Sequence, residues 1–132
     1  MAIFADTYFL IAALSPRDEG HAKAVNFSIH NRHPLVTTAW VLTELADGLA
    51  ATSNRHLARQ IFLDFESSAH DIVIPSEPQL WLRGLDLYHA RPDKEWSLTD
   101  CISFIVMQDH GITEALTADQ HFEQAGFVTL LR

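Results

Sequence analysis

Short apolar runs alternate with longer amphipathic segments from one end of this chain to the other, and few folds accept that pattern. Met1-Ala-Ile-Phe-Ala-Asp6 reads as a buried strand closed by an acid, and Thr7 to Leu14 as an apolar helix stopped by Ser15-Pro16. A helix is expected from about Glu19 to Asn31, with Ala22, Val25 and Ile29 on its buried stripe and His33-Pro34 beyond its end. Leu35-Val36-Thr37 is the next expected strand. Thr37 or Thr38 would cap a helix over Ala39 to Ala51, and Asn54 to Ser67 would follow as a helix with Leu57, Ile61 and Phe65 on one face. Ile72 to Ile74 reads as a strand, after which Ser76 would cap a helix holding Leu80, Trp81, Leu85 and Tyr88. Beyond a polar loop, Ala90 to Glu95, the segment Ser97-Leu98-Thr99-Asp100 opens an apolar helix running to His110, which Gly111 is placed to end in a left-handed turn. Glu114 to Thr117 (strand), Asp119 to Gln124 (short helix) and Phe127 to Leu131 (strand) complete the chain. Such alternation predicts an α/β domain with a parallel sheet covered by helices on both faces.

Composition narrows the class. The 132 residues suit a single domain, 1–132, and no linker or internal repeat divides it. With 48% hydrophobic residues, the chain has the material for a core and is not disordered. One cysteine, Cys101, excludes an internal disulfide and any Cys-x-x-Cys site, and is expected in the core. The apolar stretch Ile3 to Leu14 is too short for a membrane span, carries Asp6 and has no basic flank, so a cytoplasmic protein without membrane attachment is expected. A net charge of −8 argues against a plain nucleic-acid-binding module, which needs a basic face. It leaves open an enzyme whose surplus acids hold cations.

The acids fall where ligands bind in open parallel sheets, beyond the carboxyl ends of the strands. Asp6 closes the first strand, Asp119 follows the strand ending at Thr117, and Asp100 opens the helix before that strand. Each of the three also suits a helix cap. Glu44 does not: it lies mid-helix, one turn from Trp40, Val41 and Gly48, on a side expected to face the protein. Buried carboxylates converging without basic partners would repel and take up protons. An oxygen-ligated Mg²⁺ or Mn²⁺ removes that conflict.

Asp6-Thr7, Thr43-Glu44, the run Asp93-Lys94-Glu95-Trp96-Ser97-Leu98-Thr99-Asp100-Cys101-Ile102-Ser103-Phe104, and Thr117-Ala118-Asp119-Gln120-His121-Phe122 together resemble the PIN-domain ribonucleases, in particular the small VapC-like toxins of toxin–antitoxin pairs. The resemblance runs along essentially the whole chain. It implies a three-layer α/β/α fold with a short, mainly parallel central sheet. It also implies hydrolysis of RNA phosphodiesters by water, in line at phosphorus, leaving a 5′-phosphate and a 3′-hydroxyl. Asp6, Glu44, Asp100 and Asp119 would then be the catalytic residues and hold one or two Mg²⁺ or Mn²⁺ ions, with the hydroxyls of Thr7, Ser97 and Thr117 orienting the carboxylates. Arg91 and Lys94 are the nearest candidates for contact with substrate phosphate. Partners implied are RNA, a small antitoxin that occupies the acidic pocket, and a second copy of the chain in a homodimer.

Other signals are weaker. The eight histidines include no His-Glu-x-x-His and are expected in structural or surface roles. No Gly-x-Gly or Gly-x-Ser-x-Gly occurs, against dinucleotide, P-loop and α/β-hydrolase chemistry. Trp40, Trp81 and Trp96 are expected in the core or an interface, and only Trp96 is placed to stack on a base. Two alternatives keep the same fold: a non-catalytic interaction module whose acids merely cap helices, and a metal-dependent phosphatase acting on small molecules.

Overall fold

The structure is a computed structural model that describes all residues, Met1–Arg132. Its elements, in chain order, are β1 (Ile3–Ala5), α1 (Thr7–Leu14), α2 (His21–His30), β2 (Leu35–Thr38), α3 (Ala39–Leu49), α4 (Leu57–Ser67), β3 (Ile72–Ile74), α5 (Pro78–Ala90), α6 (Leu98–Asp109), β4 (Glu114–Leu116), α7 (Gln120–Gln124) and β5 (Val128–Thr129). The five strands form one sheet in the order β3-β2-β1-β4-β5, and every pairing is parallel rather than mainly so. Parallel neighbours need crossovers, and the helices supply them. The chain builds β1, β2 and β3 outward in one direction, then returns to place β4 on the other side of β1. That reversal makes the gap between β1 and β4 the topological switch point of the sheet.

The core sits on the central strands. Ile3, Phe4 and Ala5 are all buried, as a strand covered on both faces requires. Phe104 of α6 meets Phe122 of α7 edge-on at 5.0 Å, Phe122 leans on Phe4 at 6.4 Å, and Trp96 packs edge-on against Phe104 at 5.1 Å. This aromatic stack ties α6, α7 and β1 together directly beneath the ends of β1 and β4. Helix α5 lies along α6, where Gly84 allows close approach: a Cβ there would collide with the Ile102 side chain. Gly111 adopts φ +64° and ends α6 as expected.

Two local expectations are corrected. The buried side of α2 is Ala24, flanked by Phe27, which meets Phe9 edge-on at 6.1 Å; Ala22 and Ile29 face solvent. Val25 of the expected stripe is half-buried, as Phe27 is. Ser76 does not cap α5, whose N-cap is Glu77, because Pro78 starts the helix and needs no partner for a missing N–H. Trp81 and Tyr88 lie on the exposed side of α5, with Leu80 and Gly84 inward. No helix is long and apolar enough to cross a membrane.

Candidate active site

Asp6 occupies the N-cap position of α1, yet its side chain makes no capping bond. It turns instead across the switch point, where Oδ2 accepts a hydrogen bond from the Thr117 hydroxyl at 2.9 Å. The same Thr117 oxygen accepts from the Asp119 backbone N–H at 3.0 Å. One buried threonine at the end of β4 therefore fixes both the Asp6 carboxylate and the backbone that launches Asp119. Asp119 in turn caps α7, its Oδ1 accepting from the His121 N–H at 2.9 Å.

Asp100 is set by the start of α6. Ser97 and Asp100 form a reciprocal capping box: Ser97 Oγ accepts from the Asp100 N–H at 3.0 Å, and Asp100 Oδ2 accepts from the Ser97 N–H at 3.1 Å. Capping and site placement are thus the same geometry for Asp100, which is only 8% exposed. Glu44 comes from the second turn of α3, half-buried. Thr38 starts that helix by accepting from the Val41 N–H. The Thr7 hydroxyl does not orient a carboxylate. It lies 3.5 Å from the Val41 carbonyl, while the Thr7 backbone N–H supports Asp6.

The charges of the acids act on one another, but the group whose ligand atoms lie within 4.8 Å is Asp100, Asp119 and His121, and Asp6 and Glu44 stand outside it. Burial pushes the Asp6 carboxyl up to about 7; the Thr117 hydrogen bond opposes this, and the charges of Asp100 and Glu44 add to it. Burial also raises Asp100, opposed by His121 and the Ser97 N–H and reinforced by the charge of Asp119. No lysine or arginine pairs with Asp6, Glu44, Asp100 or Asp119; the arginine pairs, Arg83–Asp109, Arg91–Asp93 and Arg132–Glu123, engage other acids. No buried side-chain polar atom lacks a hydrogen bond. What remains unbalanced in the pocket is charge.

His121 is the site residue that the sequence reading missed, having grouped it with the structural and surface histidines. Its Nδ1 lies 3.0 Å from Asp100 Oδ2 and 3.5 Å from Asp119 Oδ1, and the three ligand atoms fall within 4.8 Å of one another. Asp119 accepts the His121 backbone N–H, which fixes the backbone at this turn, but no local pattern signals where the His121 ring goes.

The rim bears on two further expectations. Arg91 is committed to Asp93 through two bonds of 2.9 Å, and its guanidinium lies 5.1 Å from the centroid of the Trp96 ring. Trp96 is buried and donates to Gln124 Oε1 at 3.1 Å, so it is not open to stack on a base. Lys94 forms no ion pair and borders a polar cavity of about 280 Å³ that it shares with Asp93, Glu95, His121, Gln120 and Gln124. Cys101 is buried, and burial first, then Asp100, pushes its thiol up to about 11, which suits a core residue and not a nucleophile.

An all-parallel α/β domain with buried carboxylates near its switch point defines the class, and a family comparison gives the same result. The PIN domain model matches residues 3–128, and the chain belongs to the PIN-domain family. Among solved structures, it is similar to VapC20 of Mycobacterium tuberculosis, a toxin that cleaves the sarcin-ricin loop, with a TM-score of 0.86, 26% identity and 96% of each chain covered. The fold is also shared with FitAcB from Neisseria gonorrhoeae (TM-score 0.64, 19% identity, 98% of this chain and 96% of that chain) and with VapBC-1 from nontypeable Haemophilus influenzae (TM-score 0.64, 16% identity, all of both chains). A search of curated proteins finds no match. The domain is VapC-like, and its family and neighbours together support a nuclease of the toxin–antitoxin kind.

Proposed function

We propose that the protein is a Mg²⁺- or Mn²⁺-dependent endoribonuclease acting as the toxin of a toxin–antitoxin pair. The observation that carries this reading is that the charges of Asp100 and Glu44 bear on the buried Asp6 carboxylate and that of Asp119 on Asp100, while no lysine or arginine pairs with any of the four. The donor set fits a hard dication: carboxylate oxygens from four different elements, with room for water at the rim. Asp6, Glu44, Asp100 and Asp119 would hold the ion. When bound, it supplies neutralising charge and Lewis-acid assistance to the attack of water on phosphorus.

The chain's own residues do the positioning. Thr117 fixes the Asp6 carboxylate from one side, and the Ser97 N–H fixes Asp100 from the other. Lys94, unpaired at the mouth of the polar cavity, is the cation best placed to meet a backbone phosphate; Arg91 is engaged elsewhere. The FitAcB and VapBC-1 neighbours support a small antitoxin as partner. Apolar residues left on the surface of α4 and α5, including Phe62, Leu63, Trp81 and Leu82, offer ground for pairing with a second copy. Because VapC20 cleaves the sarcin-ricin loop, a structured ribosomal RNA loop is the first substrate to try.

The test is cleavage of RNA by the purified protein, free of any partner, with Mg²⁺, Mn²⁺ or EDTA. Cleavage with metal, lost in EDTA and in Asp100→Asn, is expected. Metal-independent cleavage, equal activity in the variant, or turnover of phosphomonoesters with intact RNA would each refute the reading.

A further inference from the structure

Three ligand atoms bound to one ion at right angles, each roughly 2.1 Å from it, stand about 3 Å apart. His121 Nδ1 stands at 3.0 Å from Asp100 Oδ2 and 3.5 Å from Asp119 Oδ1. The ring is already held in that position: the Asp119 cap turns its backbone, and Phe122, the next residue, is locked into the aromatic core. The side chain is 21% exposed, so it lines the pocket wall and is not a solvated bystander. No other histidine or cysteine joins the acids at this distance.

We propose that His121 is a direct ligand of the metal through Nδ1, and that this nitrogen makes the centre select Mn²⁺ over Mg²⁺. The inference rests on the metal-centre reading above and assigns the ion's identity within it. Mg²⁺ prefers oxygen donors and an unstrained octahedral shell. Imidazole suits transition ions, so replacing one oxygen by nitrogen penalises Mg²⁺ and favours Mn²⁺. Without an ion, the nitrogen and the Asp100 carboxylate face each other across a hydrogen bond. Holding an ion would require His121 Nδ1 to carry no proton.

The experiment is calorimetric titration of the full-length protein with Mn²⁺ and with Mg²⁺, for wild type, His121→Gln and His121→Ala, together with pulsed electron paramagnetic resonance of bound Mn²⁺. Unfolding curves in EDTA check that both variants fold. Wild type is expected to bind Mn²⁺ at least about 10-fold more tightly than Mg²⁺ and to show a ¹⁴N coupling on manganese. Both variants should lose that coupling and most of the Mn²⁺ preference. A residue that only supports other ligands would weaken both ions alike, by roughly 10–100-fold, and leave their ratio unchanged. That result, or wild-type Mn²⁺ without nitrogen coupling, overturns the proposal while leaving the carboxylate centre standing. A wild type that binds neither ion overturns both.

Discussion

Replacing Asp6 with Asn should stabilise the metal-free protein while destroying its activity. Folding takes the Asp6 carboxyl from an ordinary 3.8 to about 7, chiefly through burial. At 1.36 kcal/mol per pH unit, keeping it ionised in the fold costs about 4 kcal/mol. The folded protein binds this proton more tightly than the unfolded chain, so the cost begins near pH 4, grows through the window between the two values and is complete above pH 7. Asn keeps the amide oxygen that can accept from Thr117 and carries no charge. In EDTA, the gain from Asp6→Asn should therefore be larger at pH 8 than at pH 5 by about 3 kcal/mol, or on the order of 10 °C in melting temperature for a chain of this size. Thermal unfolding at the two pH values, read by circular dichroism, measures it. Adding Mn²⁺ at pH 8 should raise the melting temperature of wild type far more than that of the variant. A variant less stable than wild type by the same amount at both pH values would show that Asp6 carries no buried charge, and the electrostatic argument for the site would fall.

Other consequences are quickly checked. Thr117→Val removes the hydroxyl that serves Asp6 and Asp119 together, and should lower metal affinity by roughly 10–100-fold in a titration, at a folding cost of about 1–3 kcal/mol in urea. Gly84→Ala sets two effects against each other. Helix propensity favours alanine by about 1 kcal/mol, but the collision with Ile102 at the α5–α6 contact should win, giving net destabilisation on the order of 1–2 kcal/mol in chemical unfolding. Cys101, buried with its thiol raised to about 11, should stay unmodified by a thiol reagent at pH 7.5 in the native state and react fully in denaturant; rapid native labelling would contradict its placement.

Much of the architecture was legible because the alternating pattern is strong where strands are buried on both faces. β3 and α1 begin and end where the residues predict, and Gly111 ends α6 in the conformation only glycine adopts freely. Legibility failed where tertiary packing chose between equivalent faces. In α2, the stripe of Ala22, Val25 and Ile29 is as periodic as the face that is buried, and only the position of Phe9 decides for Phe27. Asp6, Asp100 and Asp119 were legible because each stands at a strand end or helix start, and Glu44 because it lies mid-helix on a side expected to face the protein. Asp100 and Asp119 both cap their helices, as the capping reading expects, and the same bonds fix where their carboxylates point. Side-chain pairings at the rim were out of reach. Nothing local shows that Arg91 folds back onto Asp93 and Trp96, or that Asp119 draws His121 into the cluster.

The central claim is that carboxylates far apart in the chain share one dication. Anomalous diffraction from Mn²⁺-soaked crystals tests it most directly. A manganese peak in contact with carboxylate oxygens of Asp6 and Asp100, absent from Asp6→Asn crystals, is the predicted result. Full soaking with no peak at the switch point, or one that persists in Asp6→Asn, would contradict it.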